Sequence, residues 1–268
     1  MKSASWFSRN LSLIILLTTA LSIAGCSDDT VDGPEKEGKE GSKEAALRHL
    51  PDEPLTEAQA QLTEKPLESL STIDRSVFIE PHLEAAEESK VLAKYNYLDP
   101  DHLVPTTLLK KAVTFFDTNK SYIANQNYLS VVDFSQRSSK DRFFIINMST
   151  GKVWAIHVAH GTGSDPANNG YAVRFSNVPN SNASSLGYYL TAETYGGKYG
   201  TALRLDGLSN TNSMVRERGV VLHGAPYVRE ANVIEGRTWG CLGVTMDYKN
   251  QVINLLKHGS LIYAGLSK

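Results

Sequence analysis

Val220-Val221-Leu222-His223-Gly224-Ala225-Pro226-Tyr227 runs into a polar connection and then into Gly236-Arg237-Thr238-Trp239-Gly240-Cys241-Leu242-Gly243. The first stretch predicts an apolar strand that delivers His223 at its end. The second returns the chain through turn formers to Cys241, with Gly240 before it. Rigid strand, tight backbone and exposed side chain together present a nucleophile. A thiol is a weak nucleophile at neutral pH until a base or a positive charge favours the thiolate. His223 is placed to be that base and to return a proton to a leaving amine. The amides of Trp239, Gly240 and Cys241 are candidate oxyanion donors, each typically contributing about 2.7–4 kcal/mol. A lone cysteine is more often a small buried apolar group, so the surrounding pattern has to decide.

Working outward, the region from about Tyr95 has globular character. Leu108, Leu109, Ala112, Val113, Phe115 and Phe116 give Pro105–Phe116 a helical apolar face. Strands are expected over 128–134, 142–147 and 152–159, with Ser149-Thr150-Gly151 as the turn between the last two. Residues 160–185 are rich in Gly, Asn, Ser and Pro, as functional loops often are. Strands return at 188–191, 201–205 and 219–222. A final helix is expected with Asp247 as its cap and Val252, Ile253, Leu255 and Leu256 on its apolar face. Gly259 closes that helix before a last strand over 261–264. The fold class expected is α+β, a mainly β domain with a few flanking helices.

The N-terminal part is different. Lys2 and Arg9 precede a short apolar run, Leu11–Ala24, which ends at Ile23-Ala24-Gly25-Cys26. Such a run is shorter than the roughly 20 residues a spanning helix needs and reads as an export signal over 1–26. Its end resembles the bacterial lipobox, which implies acylation of Cys26 and a membrane anchor. Ser27, rather than an acidic residue, favours the inner leaflet of the outer membrane, with the rest of the chain in the periplasm. Residues 27–90 carry 17 acidic and 7 basic side chains, whereas 91–268 carry 12 and 18. Five prolines and few aromatics mark the acidic stretch as a tether reaching to residue 94, with short helices around 44–50 and 83–93. The catalytic domain then spans 95–268. With Cys26 acylated, Cys241 has no disulfide partner within the chain. An unpaired thiol in an oxidising compartment reads as a reactive group.

His223-Gly224 followed by Thr238, Gly240 and Cys241 resembles the signature of the L,D-transpeptidase (YkuD-like) family. A wider likeness runs from about Tyr95 to Tyr263 and points to a divergent murein branch. It includes His160-Gly161, Phe175-Ser176-Asn177, Ser184-Ser185-Leu186-Gly187, Tyr195 with Gly197, and Arg204-Leu205 with Gly207. The resemblance implies Cys241 as nucleophile, His223 as base and a backbone carbonyl orienting the imidazole. It also implies peptidoglycan stem peptides as partners, 3→3 cross-links as products and acylation by carbapenems. Two positions depart from the family pattern. Trp239 stands where most members have His, and Leu242-Gly243 stands where many carry Arg or Asn to hold a substrate carboxylate. Arg237 is the candidate replacement, ahead of Arg204 and Arg218; Thr238, Gly224 and Tyr227 complete the expected substrate-binding set.

Other chemistries find little support. No metal or cofactor is expected: His157 and His160 lie three apart on an expected strand and face opposite sides, and no His-Glu-x-x-His spacing occurs. The Gly-x-Ser-x-Gly elbow of serine hydrolases is absent. Sortases need a longer His–Cys interval, and NlpC-type peptidases place Cys before His. Nothing in the charge pattern suggests nucleic-acid binding. Two alternatives to cross-linking stay open: an L,D-carboxypeptidase or other hydrolase using the same acyl-enzyme, and an inactive wall-binding lipoprotein.

Overall fold

A side chain alternates faces along a strand, so a sheet buried on both sides needs apolar residues in consecutive positions. The strand sequences here, such as Tyr-Leu-Ser-Val-Val-Asp and Phe-Phe-Ile-Ile-Asn, have that character. The computed structural model describes residues 73–268. The expected leader, Cys26, the tether as far as residue 72 and the helix expected over 44–50 lie outside the described residues.

Two helices come first, α1 (Ala85–Lys94) and α2 (Thr106–Asn119). Strands β1 (Tyr128–Asp133), β2 (Phe143–Asn147), β3 (Val153–Ile156), β4 (Gly187–Gly197), β5 (Gly200–Gly207), β6 (Val221–Ala225) and β7 (Leu242–Thr245) follow. The chain ends with α3 (Met246–Leu256) and β8 (Leu261–Gly265). The strands form one sheet in the order β3-β2-β1-β8-β4-β5-β6-β7. Only the β1–β8 and β6–β7 pairs are parallel. Beyond β3 the chain crosses to the outer side of β7, where the Ala159 amide donates to the Gly243 carbonyl at 2.8 Å and Gly161 bridges Thr238. The two ends of the sheet are thereby joined, giving a barrel-like closure.

Alternation sorts the core into two layers. Val132, Phe143, Ile145, Tyr189, Leu203, Leu205, Leu222, Leu242, Val244 and Ile262 share one face with Val252, Ile253 and Leu256 of α3. Leu129, Val131, Phe144, Ile146, Tyr188, Leu190, Leu261 and Tyr263 share the other, under Leu108, Ala112, Phe115 and Phe116 of α2. Fully burying one such side chain stabilises the fold by about 1.5–3 kcal/mol.

The acidic stretch does not stay clear of this core throughout. Ile73, Phe78, Val91 and Leu92 pack against the α2 layer. Phe78 stacks on Phe115, and Lys94 and Tyr95 both reach Asp117 of α2. The helix expected over 83–93 forms as α1, with a reciprocal Glu84–Glu87 cap. In α3 the cap position falls on Thr245 rather than Asp247. Asp247 instead occupies the first turn, where its charge complements the helix dipole.

Candidate active site

The sheet register fixes the relation between the two candidate side chains, His223 and Cys241. In the parallel β6–β7 pair, Leu222 stands opposite Leu242 and His223 opposite Gly243. Leu222 and Leu242 both point into the core. Their neighbours His223 and Cys241 are therefore carried on the opposite face, diagonal to one another across adjacent strands. Both are nearly enclosed, His223 at 6% and Cys241 at 9% exposure, and so are largely withdrawn from bulk water.

The imidazole is oriented by main chain. His223 Nδ1 donates to the Gly224 carbonyl at 2.8 Å, which leaves Nε2 as the nitrogen able to take a proton. The Tyr199 ring, at the tip of the β4–β5 hairpin, stacks on the imidazole with centroids 6.4 Å apart. Tyr199 itself is latched through its carbonyl, which accepts from buried Lys249 of α3 at 2.7 Å. Nothing in the sequence around Gly196–Gly200 singles out Tyr199. Only the pairing of β5 with β6 brings that hairpin beside His223.

The cysteine loop is braced from within. Thr238 is fully buried; its hydroxyl donates to the Cys241 carbonyl at 2.9 Å and accepts from the Gly240 amide at 3.1 Å. The Thr238 main chain exchanges hydrogen bonds with His160 and Thr162. Gly240 has φ +119°, and a Cβ there would sit 2.7 Å from the Ala183 carbonyl, so the turn needs glycine. The Cys241 thiol faces the Gly219 carbonyl at 3.8 Å.

A family model for the L,D-transpeptidase catalytic domain matches residues 101–264. The chain belongs to that family. The match covers α2, α3, strands β1 to β7 and β8 up to Ala264, and with them His223 and the cysteine loop of this L,D-transpeptidase domain. Two solved structures are similar to it. One is LD transpeptidase LdtMt1 in complex with imipenem (TM-score 0.33, 14% identity, 52% of this chain and 59% of that one). The other is an L,D-transpeptidase from Mycobacterium smegmatis (TM-score 0.33, 13% identity, 52% and 58%). The chain thus spans less than two thirds of either structure's length. No curated protein matches it.

The expected substrate-binding residues divide in the structure of this L,D-transpeptidase domain. Thr238 braces the loop, as described. Gly224 supplies the carbonyl that orients His223, and its Cα packs against Lys249 and Met246. Tyr227 is buried with Ala159, Ala225 and Val228, so its ring serves packing. Arg237 donates to the Asp165 carbonyl, fastening the 160–187 segment to the cysteine loop. Arg204 is ion-paired with Glu193 at 3.3 Å and stacked on Tyr195 at 4.3 Å. Of the expected oxyanion donors Trp239, Gly240 and Cys241, the Gly240 amide is already engaged by Thr238.

Two buried histidine networks, neither legible as such in the sequence, support the loops. Arg142, with no exposed surface, donates to the Val158 and Gln136 carbonyls and to His160 Nδ1 at 2.8 Å. His160 Nε2 faces Asp165 at 3.4 Å. Burial, above all, pushes the His160 pKa down to about 4, against the pull of Asp165. The second network centres on His157. Burial opposes its charge, yet Glu235, Glu230 and Asp141 together hold its pKa above the ordinary value. Asp141, His157 and Glu230 bring potential ligand atoms within 4.8 Å of one another. Here His157 Nδ1 meets buried Glu235 at 3.0 Å and Nε2 meets Asp141 at 3.2 Å, an ion-pair cluster that ties the 226–241 connection to the end of β3.

Proposed function

We propose that the protein is a peptidoglycan L,D-transpeptidase that works through a Cys241 thioester. The observation that carries this reading is the β6–β7 register, which puts the sulfur and an Nδ1-anchored imidazole on one face of the sheet. His223 Nε2 takes the thiol proton as the sulfur attacks the carbonyl of the third stem residue, expected to be meso-diaminopimelate. The tetrahedral oxyanion is expected to meet the amides of Trp239 and Cys241, since the Gly240 amide is taken by Thr238. On collapse the C–N bond breaks, and the imidazolium returns its proton to the departing D-alanine amine. The side-chain amine of a neighbouring stem then attacks the thioester, losing a proton to His223, and releases the thiol with a 3→3 cross-link. Holding that acceptor beside the thioester is an effect of proximity. Imipenem, the ligand in one similar structure, is expected to acylate the same sulfur.

The Ile23-Ala24-Gly25-Cys26 sequence supports an acylated N-terminus in the envelope, with stem peptides within reach of the domain. Labelled-palmitate incorporation that is lost in Cys26→Ala tests that anchor. For the reaction, the purified protein is incubated with tetrapeptide muropeptides and the products are read by mass. Cross-linked dimers are expected, with none from Cys241→Ala. Tripeptide monomers alone would replace transfer by hydrolysis, and unchanged substrate with retained sacculus binding would leave a wall-binding protein. Product from Cys241→Ala would remove the nucleophile.

A further inference from the structure

Arg218 lies in the tight turn that feeds β6. Its amide donates to Met214 O, the Gly219 amide to Arg216 O and the Val220 amide to Val215 O, with Gly219 at φ +65°. The turn delivers two groups to the cysteine loop. One is the Gly219 carbonyl, 3.8 Å from the sulfur. The other is the Arg218 guanidinium, whose Nη2 would be 3.2 Å from a Cβ built on Gly240.

All four terminal N–H directions of that guanidinium are used. Nη1 donates to Ser176 O and Ser185 Oγ, both at 2.7 Å. Nη2 donates to Ser181 Oγ at 3.2 Å and to Ala183 O at 2.6 Å. One side chain therefore gathers four points of the 176–185 segment beneath the turn that ends in Cys241. A ligand carboxylate would find no free fork here, which sets Arg218 apart from the substrate-binding role weighed for it on sequence.

The acceptors are also informative by their charge. Every one is neutral, and no carboxylate pairs with Arg218 among the described residues. Arg216, two positions earlier, meets both Asp206 and Glu193. A half-buried cation without an anion carries an unrecovered desolvation cost, and burial lowers the Arg218 pKa accordingly. Two groups able to become anionic interact with it, the Tyr189 phenol and Cys241. Tyr189 is fully buried and its pKa is raised, first by burial, so it stays protonated.

We propose that Arg218 is a positioning residue for Cys241, clamping the 176–185 segment under the Gly240 turn and supplying the fixed positive charge beside which the sulfur becomes anionic. The assignment rests on the reading of Cys241 as the nucleophile, with its proton passing to His223. The titratable groups around the sulfur are His223 from β6, with Tyr199 and Lys249 behind it, and Arg218, with Tyr189 of β4 behind it. On the 160–185 segment, His160 and Asp165 face each other, and Arg142 and Arg237 bind them.

The test compares the full-length wild type with Arg218→Met and Arg218→Lys. Iodoacetamide alkylation of Cys241 is followed against pH, together with imipenem adduct formation and muropeptide turnover. Met, similar in length but neutral, is expected to displace the alkylation profile to higher pH by about 1 and to slow alkylation at pH 7 about tenfold. Lys keeps the charge but not the four-way donor geometry. It is expected to hold the profile in place while turnover falls about tenfold. A folded Met variant with an unmoved profile overturns the proposal, as does a Lys variant displaced as far as Met. Should Met prevent folding, His223→Ala in the Arg218 background decides. Half-maximal alkylation must then still come at lower pH than for free cysteine in the same buffer, and equality overturns the charge role. Wild type that makes neither imipenem adduct nor cross-link, while the alkylation profiles behave as expected, defeats the transpeptidase reading and leaves the Arg218 assignment standing.

Discussion

Replacing Thr238 by Val tests whether the cysteine loop is held by its own hydroxyl brace. Val is nearly isosteric, so the space is filled and only the two hydrogen bonds go. The Gly240 amide loses its acceptor at 3.1 Å and the Cys241 carbonyl its donor at 2.9 Å, at a residue with no exposed surface. A buried polar group left unsatisfied costs about 1–3 kcal/mol, so the pair amounts to roughly 2–6 kcal/mol. At about 2–4 °C per kcal/mol for a domain of this size, the unfolding midpoint should fall by about 4–24 °C. Alternatively the loop gives way locally and water satisfies both groups. In that case the midpoint moves little, but the amides proposed to hold the oxyanion lose their alignment and imipenem acylation is expected to slow about tenfold or more. Thr238→Ser, which keeps the hydroxyl, should restore both measurements to near wild type. Thermal unfolding and stopped-flow acylation on the three proteins read the outcome. A Val variant with wild-type midpoint and wild-type acylation rate would refute the brace.

Gly240→Ala should cost imipenem acylation about tenfold or more, because φ +119° and the Ala183 carbonyl 2.7 Å from the new methyl both force the turn to move; an unchanged rate contradicts it. The depressed His160 pKa of about 4 gives a pH signature. A neutral buried imidazole contributes stability that is present above the unfolded value of roughly 6.5 and is lost as pH falls toward 4. His160→Gln should flatten the stability–pH curve in that window, as measured by urea unfolding, and an unaltered slope would count against the assignment. His157 acts with the opposite sign, since its raised pKa makes its contribution present below about 6.5 and lost at higher pH as the ring deprotonates. His157→Gln should therefore reduce stability more at pH 6 than at pH 9, and an equal loss at both would show that its charge is not what binds the connection.

Much of this L,D-transpeptidase fold can be read from local pattern, because local pattern is what the core uses. The apolar runs at 128–134, 142–147 and 261–264 become β1, β2 and β8, and the helical faces at 105–116 and 247–256 become α2 and α3. Two differences have simple causes. Strand β7 escapes a periodic reading because it is four residues long, contains Gly243 and starts directly after Cys241. Strands β4 and β5 run further than expected because their glycine-rich ends, which look like loop in isolation, pair with each other down to Gly197 and Gly200.

At the site, His223 and Cys241 stand out by motif, and the resemblance leads to a main-chain carbonyl that takes Nδ1, found here as that of Gly224. The arginines are where sequence gives least. Arg237, Arg204 and Arg218 look alike as candidates for a carboxylate. Their uses are decided by Asp165, Glu193 and the 176–185 segment, partners 11 to 72 positions away that only folding supplies. Gly207 belongs to the same class of hidden causes: a methyl there would overlap the Asn212 carbonyl, a constraint no local spacing reveals.

The crossing of residues 159–162 over β7 bears on how the proposed stem-peptide substrate would meet the sulfur. An exposed strand edge offers unpaired main-chain groups, and many peptide-binding domains capture ligands by adding a strand there. On this strand the flank is taken: Ala159 holds Gly243, and Thr162 and His160 hold Thr238. Strand addition along that edge is therefore closed beside Cys241. The proposed substrate would then have to reach the sulfur without adding a strand to β7.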